Sequence, residues 1–396
     1  MQEPGMEIEE PKQKVEFNYV TWKKNVFGNY HSAVTHILEW PSLTVRFLPE
    51  LSYSEDGLFM TQKLLFGTHT NDKEHNYLYL ADTVLPDPSK GEEALKAFGE
   101  HCKNGEGSVS ISKTIAHNGQ VLRAEANPIN PALVATKSSD GGVYLFKTDE
   151  CSVKPKGKVT QHFSKLSGHE TEGWGLNWRS DGRTLLSADD TGKVLEWDLG
   201  KLDQKDSKEA FPCQEFRFHD SPVNDLQYHR QHSRIFAYVA DHNLSLWDDR
   251  IGYSGPFLNV MAHTREVFSL DFSPFDEFLI LTAGADSLIK LWDLRHLGSP
   301  LSEFRESEGD ISNVSWSPRV EGLFASCGEN KRVTLWDCSR LSETGDSSQC
   351  MIFSHYGHSG LVNNFDWSPH RDFSLASVDS RNMLQLWEMD SKFYIN

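Results

Sequence analysis

The sequence predicts an all-β protein: a seven-bladed β-propeller with an N-terminal α-helix. Two observations carry that prediction. First, six segments end alike: GGVYLFK (141–147), GKVLEWDL (192–199), HNLSLWDD (242–249), SLIKLWDL (287–294), KRVTLWDC (331–338) and NMLQLWEM (382–389). Their closing aromatics, Phe146, Trp197, Trp247, Trp292, Trp336 and Trp387, are 51, 50, 45, 44 and 51 residues apart. Second, a histidine precedes five of these aromatics, His117, His169, His219, His263 and His358, at distances of 29, 28, 28, 29 and 29 residues. Constant spacing within a unit and variable spacing between units mark a fixed module joined by elastic loops.

Each module reads as short antiparallel strands. LDFSP (270–274), VSWSP (314–318) and FDWSP (365–369) are strands that end in a Ser-Pro turn, and FLILTAG (278–284), GLFASCG (322–328) and SLASV (374–378) are the strands that follow. Four strands make a WD-repeat blade, and radial packing leaves only short edges. The His, a turn Asp, a strand Ser or Thr and the Trp are expected to hydrogen-bond within each blade, because buried polar groups need partners. Asp241 and Asp286 stand at the turn position. The unit lacking the histidine has Ser307 in its place, beside Glu308 and Asp310. His169-Glu170 has no second histidine at zinc-site spacing, so it is not a metal motif. His229 and His232 are expected at the surface and not as ligands.

The N-terminal quarter is expected to close the ring. The propeller is assigned to 36–390, and LEWPSLTVRFLP, MTQKLLFGTHT and NYLYLADTVLP supply its missing strands, with 40–48 expected to complete the last blade. A helix is expected over 15–35, since Tyr19, Trp22, Val26, Tyr30 and Ala33 fall three or four residues apart. It either packs on the propeller side or also forms a groove for a partner helix. Residues 1–14 are expected to be a disordered acidic N-terminus, and 86–110 and 199–215 to be polar loops.

Composition narrows function. A net charge of −18 argues against gripping phosphate backbones and fits a basic partner or plain solubility. The six cysteines include no C-x-x-C pair and read as reduced thiols. Neither a secretory signal nor a membrane-length apolar run is present, which implies a soluble intracellular protein. With no nucleophile elbow, phosphate loop or metal set, the sequence reads as non-catalytic and without cofactor or metal.

One string is more specific than the repeats. WKKN (22–25), THILEWPSLTVRFLP (35–49) and LLFGTHTND (64–72), followed in order by HNGQVLRAEANPINPALVATK (117–137), GHETEGWGLNW (168–178) and SADDTGKVLEWD (187–198), resemble the retinoblastoma-binding and MSI-type histone chaperones, among them the small subunit of chromatin assembly factor. The resemblance covers about 16–391. It implies binding of core histones and service as a scaffold in the nucleus, with the cytoplasm as a further location, in assembly-factor, acetyltransferase, deacetylase, remodelling and Polycomb-type methyltransferase complexes. It implies two sites. The acidic top face, which takes a basic peptide, maps to Glu39, Trp40, Pro41, His69, Glu172, Trp174, Asn224 and Asp310. The side groove, which takes a histone helix, maps to Asn29, Tyr30, Ala33, Asp346 and Phe353. Here Gln120 and Asn224 stand where the family has Glu, and Gly28, Asn29 and Ser32 where it has large apolar residues. A scaffold with weakened histone contact, or a general WD-repeat adaptor, are the alternatives.

Overall fold

A computed structural model describes residues 12–103, 108–155, 162–201, 209–250, 255–306, 308–341 and 346–395. Its strands form seven sheets, each a propeller blade. In blade 1, Val45–Tyr53, Phe59–Gly67, Asn76–Pro86 and Val109–His117 pair in sequence order. Blades 4, 5 and 6 repeat this meander, beginning at Val223–Tyr228, Val267–Phe272 and Ile311–Trp316. Blade 3 begins at Leu176–Trp178, and blade 2 at Val121–Ala126. Blade 2 gains a fifth strand, Glu209–Ala210, parallel to Ser164–Leu166, from the segment expected to be loop.

Blade 7 is assembled from both parts of the chain. Val362–Trp367, Ser374–Asp379 and Met383–Met389 supply three strands, and Tyr30–Ile37 adds the outermost, with Ala33 opposite Trp387 and Thr35 opposite Gln385. This corrects two expectations. The closing strand is 30–37 and not 40–48, whose C-terminal part opens blade 1 instead. The N-terminal helix is Lys12–Asn29, so Tyr30 and Ala33 lie on a strand. Gly28 and Asn29 are weak helix formers, and the open edge of Met383–Met389 captures the chain that follows them. The expectation for residues 1–14 falls mostly on 1–11, outside the described residues, while 12–14 are helical.

The segment 86–110 is also not simply loop. It contains a helix, Gly91–Lys103. Ala94 is fully buried and Phe98 lies against Phe59, with ring centroids 6.3 Å apart. Ala94, Phe98 and Cys102, four apart, form the apolar stripe that its polar composition concealed.

The core lies between neighbouring sheets. Phe216, Tyr228, Phe236, Tyr238 and Trp247 form one such layer, and Phe304, Trp316, Phe324 and Trp336 another. Blade 7 is locked to blade 1 by polar staples: Val45 N–H donates to Asn364 Oδ1 (3.2 Å), Phe47 N–H to Asp366 Oδ2 (2.7 Å) and Gln62 Nε2 to Ser368 Oγ (2.9 Å). The innermost strands enclose a cavity of about 230 Å³. Arg46 bridges Glu125 (2.7 Å) and Asp366 (3.3 Å) there, and Arg123 bridges Glu125 (3.0 Å) and Asp225 (3.6 Å).

Candidate functional site

The blade-internal network forms fully in blade 5. Trp292 Nε1 donates to Thr282 Oγ1 (2.9 Å), Thr282 Oγ1 lies 2.8 Å from His263 Nε2, and His263 Nδ1 lies 2.8 Å from Asp286 Oδ1. One proton order satisfies all three: Trp to Thr, Thr to His, His to Asp. Burial pushes the Asp286 carboxyl up, but the hydrogen bond and charge of His263 and the Thr264 and Leu288 amides outweigh it and hold its pKa at about 2. Blade 7 repeats the set with His358, Ser377, Asp379 and Trp387. Blade 3 has His169, Ser187 and Asp189. In blade 2, His117 reaches Thr136 (2.8 Å) but turns Nδ1 to Gly119 O (3.0 Å), and Phe146 replaces the Trp.

Two blades depart from expectation. In blade 4, Tyr238 occupies the Ser/Thr position, and His219 finds Ser245 (3.3 Å) instead. Asp241 takes no part: it lies in a left-handed turn (φ 51°), with its carboxylate 3.3 Å from His242. In blade 6 the missing histidine is replaced by Glu306, not by the neighbouring Ser307, which is outside the described residues. Also unlike the surface expectation, His229 is buried, with Nε2 2.8 Å from Glu277 O, while His232 pairs with the Glu277 carboxylate at 2.7 Å. Both tie blade 4 to the Ser273–Leu279 turn of blade 5.

These networks fix the rim. In successive blades the amide after the second strand donates to the residue just before, or at the entry to, the first: Ser139 to Gln120, Asp190 to Glu172, Ala285 to Glu266, Glu329 to Asp310 and Ser380 to Leu361. Gln120, Glu172, Glu266 and Leu361 are each the third residue after a landmark histidine, so one repeat position lines the rim. Three of its occupants, Glu172, Glu266 and Asp310, are acidic, and Glu266 was missed by sequence reasoning although its spacing from His263 equals that of Glu172 from His169.

The predicted top-face residues fall on this rim. Asn224 donates to Glu266 Oε1 (2.9 Å) and to Val267 O (2.8 Å), holding the carboxylate that occupies the next blade. Burial and Glu329 raise the Asp310 pKa against the pull of Arg265, whose guanidinium stands 3.5 Å away. Pro41 O accepts from His69 N–H (2.9 Å), Trp40 Nε1 donates to Glu74 Oε2 (3.3 Å) and Glu39 O accepts from Asn382 Nδ2 (3.1 Å). The 39–41 segment thus bridges blade 7 to blade 1. Burial lowers the His69 pKa, opposed by the charges of Asp72 and Glu172. Trp174 is 38% exposed, two residues beyond Glu172.

The side-groove residues are placed differently. Tyr30 and Phe353 meet edge to face, with centroids 5.2 Å apart, and both are buried. The Tyr30 hydroxyl accepts from Trp22 Nε1 (2.9 Å) and lies 2.9 Å from His355 Nδ1. Ala33 packs beside them, and Phe393 of the short C-terminal helix Lys392–Ile395 covers Phe353 at 5.5 Å. Asn29 O accepts from Asp390 N (3.2 Å). Asp346 caps the turn 347–350 that leads into the Phe353 strand, accepting from Ser348 N (2.9 Å). The other part of that segment, 342–345, lies outside the described residues.

A ring of repeated blades with an acidic rim and no reactive constellation in its repeat networks defines a WD-repeat β-propeller. Its segments 211–248, 255–293 and 298–337 match the family model of the WD domain, G-beta repeat. Residues 18–87, which span most of the N-terminal helix, the closing strand and the first three strands of blade 1, match the family model of the histone-binding protein RBBP4, a component of the CAF1 complex. The chain belongs to the RBBP4/MSI-type family of WD-repeat histone chaperones.

Proposed function

We propose that this protein is a non-catalytic, histone-binding WD-repeat subunit of nuclear chromatin assembly and modifying complexes. The observation that carries this reading is the rim series Glu172, Glu266 and Asp310, one carboxylate per blade at a single repeat position. Carboxylates on a rigid rim steer and select Lys- and Arg-bearing peptides. Rigidity comes from the His–Ser/Thr–Asp networks directly beneath. The family model at 18–87, named for a histone-binding protein, supports the same partner. Assembly-factor, acetyltransferase, deacetylase and Polycomb-type methyltransferase subunits are its proposed larger partners.

A second reading, a scaffold with reduced direct histone contact, draws on the groove. Tyr30 and Phe353 are buried beneath the chain's own Trp22, His355 and Phe393, so less apolar surface is offered to a histone helix.

Pull-down with separate core histones at two salt concentrations tests both. Rim recognition gives binding that weakens with salt and is lost in Glu172→Lys. Groove recognition gives binding that survives Glu172→Lys and falls in Phe353→Ala. Absence of histone binding while large chromatin subunits co-purify establishes the scaffold.

A further inference from the structure

One position breaks the repeat from inside. The residue after the Ser/Thr position of each second strand packs between blades, and it is Ala188, Val239, Ala283, Cys327 and Val378 in blades 3 to 7, all buried. In blade 2 it is Lys137, whose side chain is fully buried as well. The repeat tolerates an apolar side chain here, so the lysine answers a need other than packing.

Its surroundings show the need. Lys137 Nζ donates to Gly141 O (3.0 Å) in its own blade and to Thr171 O (3.5 Å) in the loop that carries Glu172 and Trp174. The two turns touch there: Gly141 has φ +82°, and a Cβ on it would stand 3.0 Å from Thr171 O. Four carboxylates surround the ammonium, Asp140 from its own turn, Glu172 from the loop, and Asp189 and Asp190 from the blade 3 turn, together with the His169 ring. Among the described residues, none of the four lies within ion-pair distance of Nζ. The ammonium therefore acts on all of them as a buried charge held in place by backbone carbonyls.

We propose that Lys137 is a positioning residue for the rim, holding the Thr171–Trp174 loop from beneath and making capture of a cationic peptide by Glu172 depend on the protonation of its own amine. The proposal rests on the histone-peptide reading above. Burial, opposed by the charges of Asp189, Asp190, Asp140 and Glu172, brings the lysine pKa down to about 8. Losing the proton makes this sector of the rim more negative, so a peptide of fixed positive charge binds more tightly as pH rises. By linkage, the bound peptide favours release of that proton.

The probe is an arginine-bearing peptide without lysine or histidine, titrated by fluorescence polarisation between neutral pH and about 9. The wild type gains affinity severalfold over this interval. Lys137→Met, which follows the apolar pattern of the other blades and folds, shows a flat profile. The same rise in Lys137→Met overturns the proposal. A second measurement needs no peptide: 13C labelling at lysine Cε shows Lys137 titrating below the exposed lysines, and lower again in Glu172→Gln. Titration together with the exposed lysines overturns the proposal whether or not peptide binds. If neither protein binds the peptide while Lys137 titrates low and responds to Glu172→Gln, the charge coupling stands and the histone-peptide reading fails.

Discussion

Glu306 accepts a 2.8 Å hydrogen bond from Ser326 Oγ in the place where four other blades set a histidine against their Ser or Thr. Its second carboxylate oxygen takes the Asn330 amide at 3.0 Å, so Asn330 stands in for the turn aspartate. Trp336 Nε1 still donates to Ser326 (2.9 Å). The pair swaps an acceptor for a donor at both ends and keeps the blade satisfied. Glu306→Ala strands the Ser326 hydroxyl and the Asn330 amide inside the protein. Unpaired buried groups cost about 1–3 kcal/mol each, so urea denaturation of Glu306→Ala shows a loss of about 2–4 kcal/mol. Glu306→Gln, which keeps an acceptor toward Ser326, loses less than half as much.

Blades 4 and 5 make an internal comparison. Asp286 belongs to a complete network and Asp241 to none, though both occupy the same turn position in the sequence. The Asp286 carboxyl, held at about 2, sits below the ordinary aspartate range near 3.8. A depressed carboxylate stabilises the fold above its unfolded pKa, and that contribution is lost as pH falls through the folded value. Asp286→Asn therefore destabilises the protein at neutral pH by about 2 kcal/mol, and the gap from wild type narrows between about pH 4 and 2. Asp241→Asn changes stability by less than about 0.5 kcal/mol at any pH. Denaturation midpoints across this range distinguish the two variants; equal losses would contradict the network assignment.

The ring was legible because its landmarks are spaced by backbone geometry: the His-to-Trp distance is set by three strands and two turns that cannot stretch. The helix end was not, because Tyr30 and Ala33 fit both a helical stripe and a strand. What decides between them is the edge of Met383–Met389, distant in sequence and invisible to local periodicity. The helix Gly91–Lys103 was hidden by its polar composition, although the Ala94-Phe98-Cys102 stripe was available. On the rim, Glu172, Asn224 and Asp310 were reached through family resemblance, whereas Glu266 follows from counting three residues past each histidine. Glu306 could not be read that way, since only the structure shows a carboxylate taking over an imidazole's partner.

The central cavity responds to pH in the opposite sense to Asp286. Burial pushes the Asp366 carboxyl up to about 6, and neither the Arg46 charge nor the Phe47 amide fully offsets it. A raised carboxylate costs stability once pH climbs past its unfolded value, and the whole cost is in place above the folded one. Asp366→Asn keeps an acceptor for Phe47 N–H and leaves Arg46 paired with Glu125. It is expected to be at least as stable as wild type at neutral pH, with any advantage fading as pH falls from about 6 to 4. A loss of several kcal/mol at neutral pH would show that the Arg46 pair outweighs the burial of its charge.

Lys137 carries a stability signature separate from any peptide. Its pKa of about 8 in the folded protein lies below the ordinary lysine value of 10.5. Below the folded value both states hold the proton, and the folded state bears the full cost of a buried ammonium. Between the two values the unfolded chain binds more protons, so wild-type stability rises with pH. Lys137→Met removes the charge at a position where five other blades carry apolar side chains. The variant is therefore more stable than wild type at neutral pH, by up to about 3 kcal/mol, and the difference shrinks as pH rises from about 8 toward 10. The gain is limited by the carbonyls of Gly141 and Thr171, which lose their donor. Guanidinium denaturation at several pH values reads this directly. A neutral-pH loss that persists unchanged at high pH would mean the hydrogen bonds, and not the buried charge, dominate at this position.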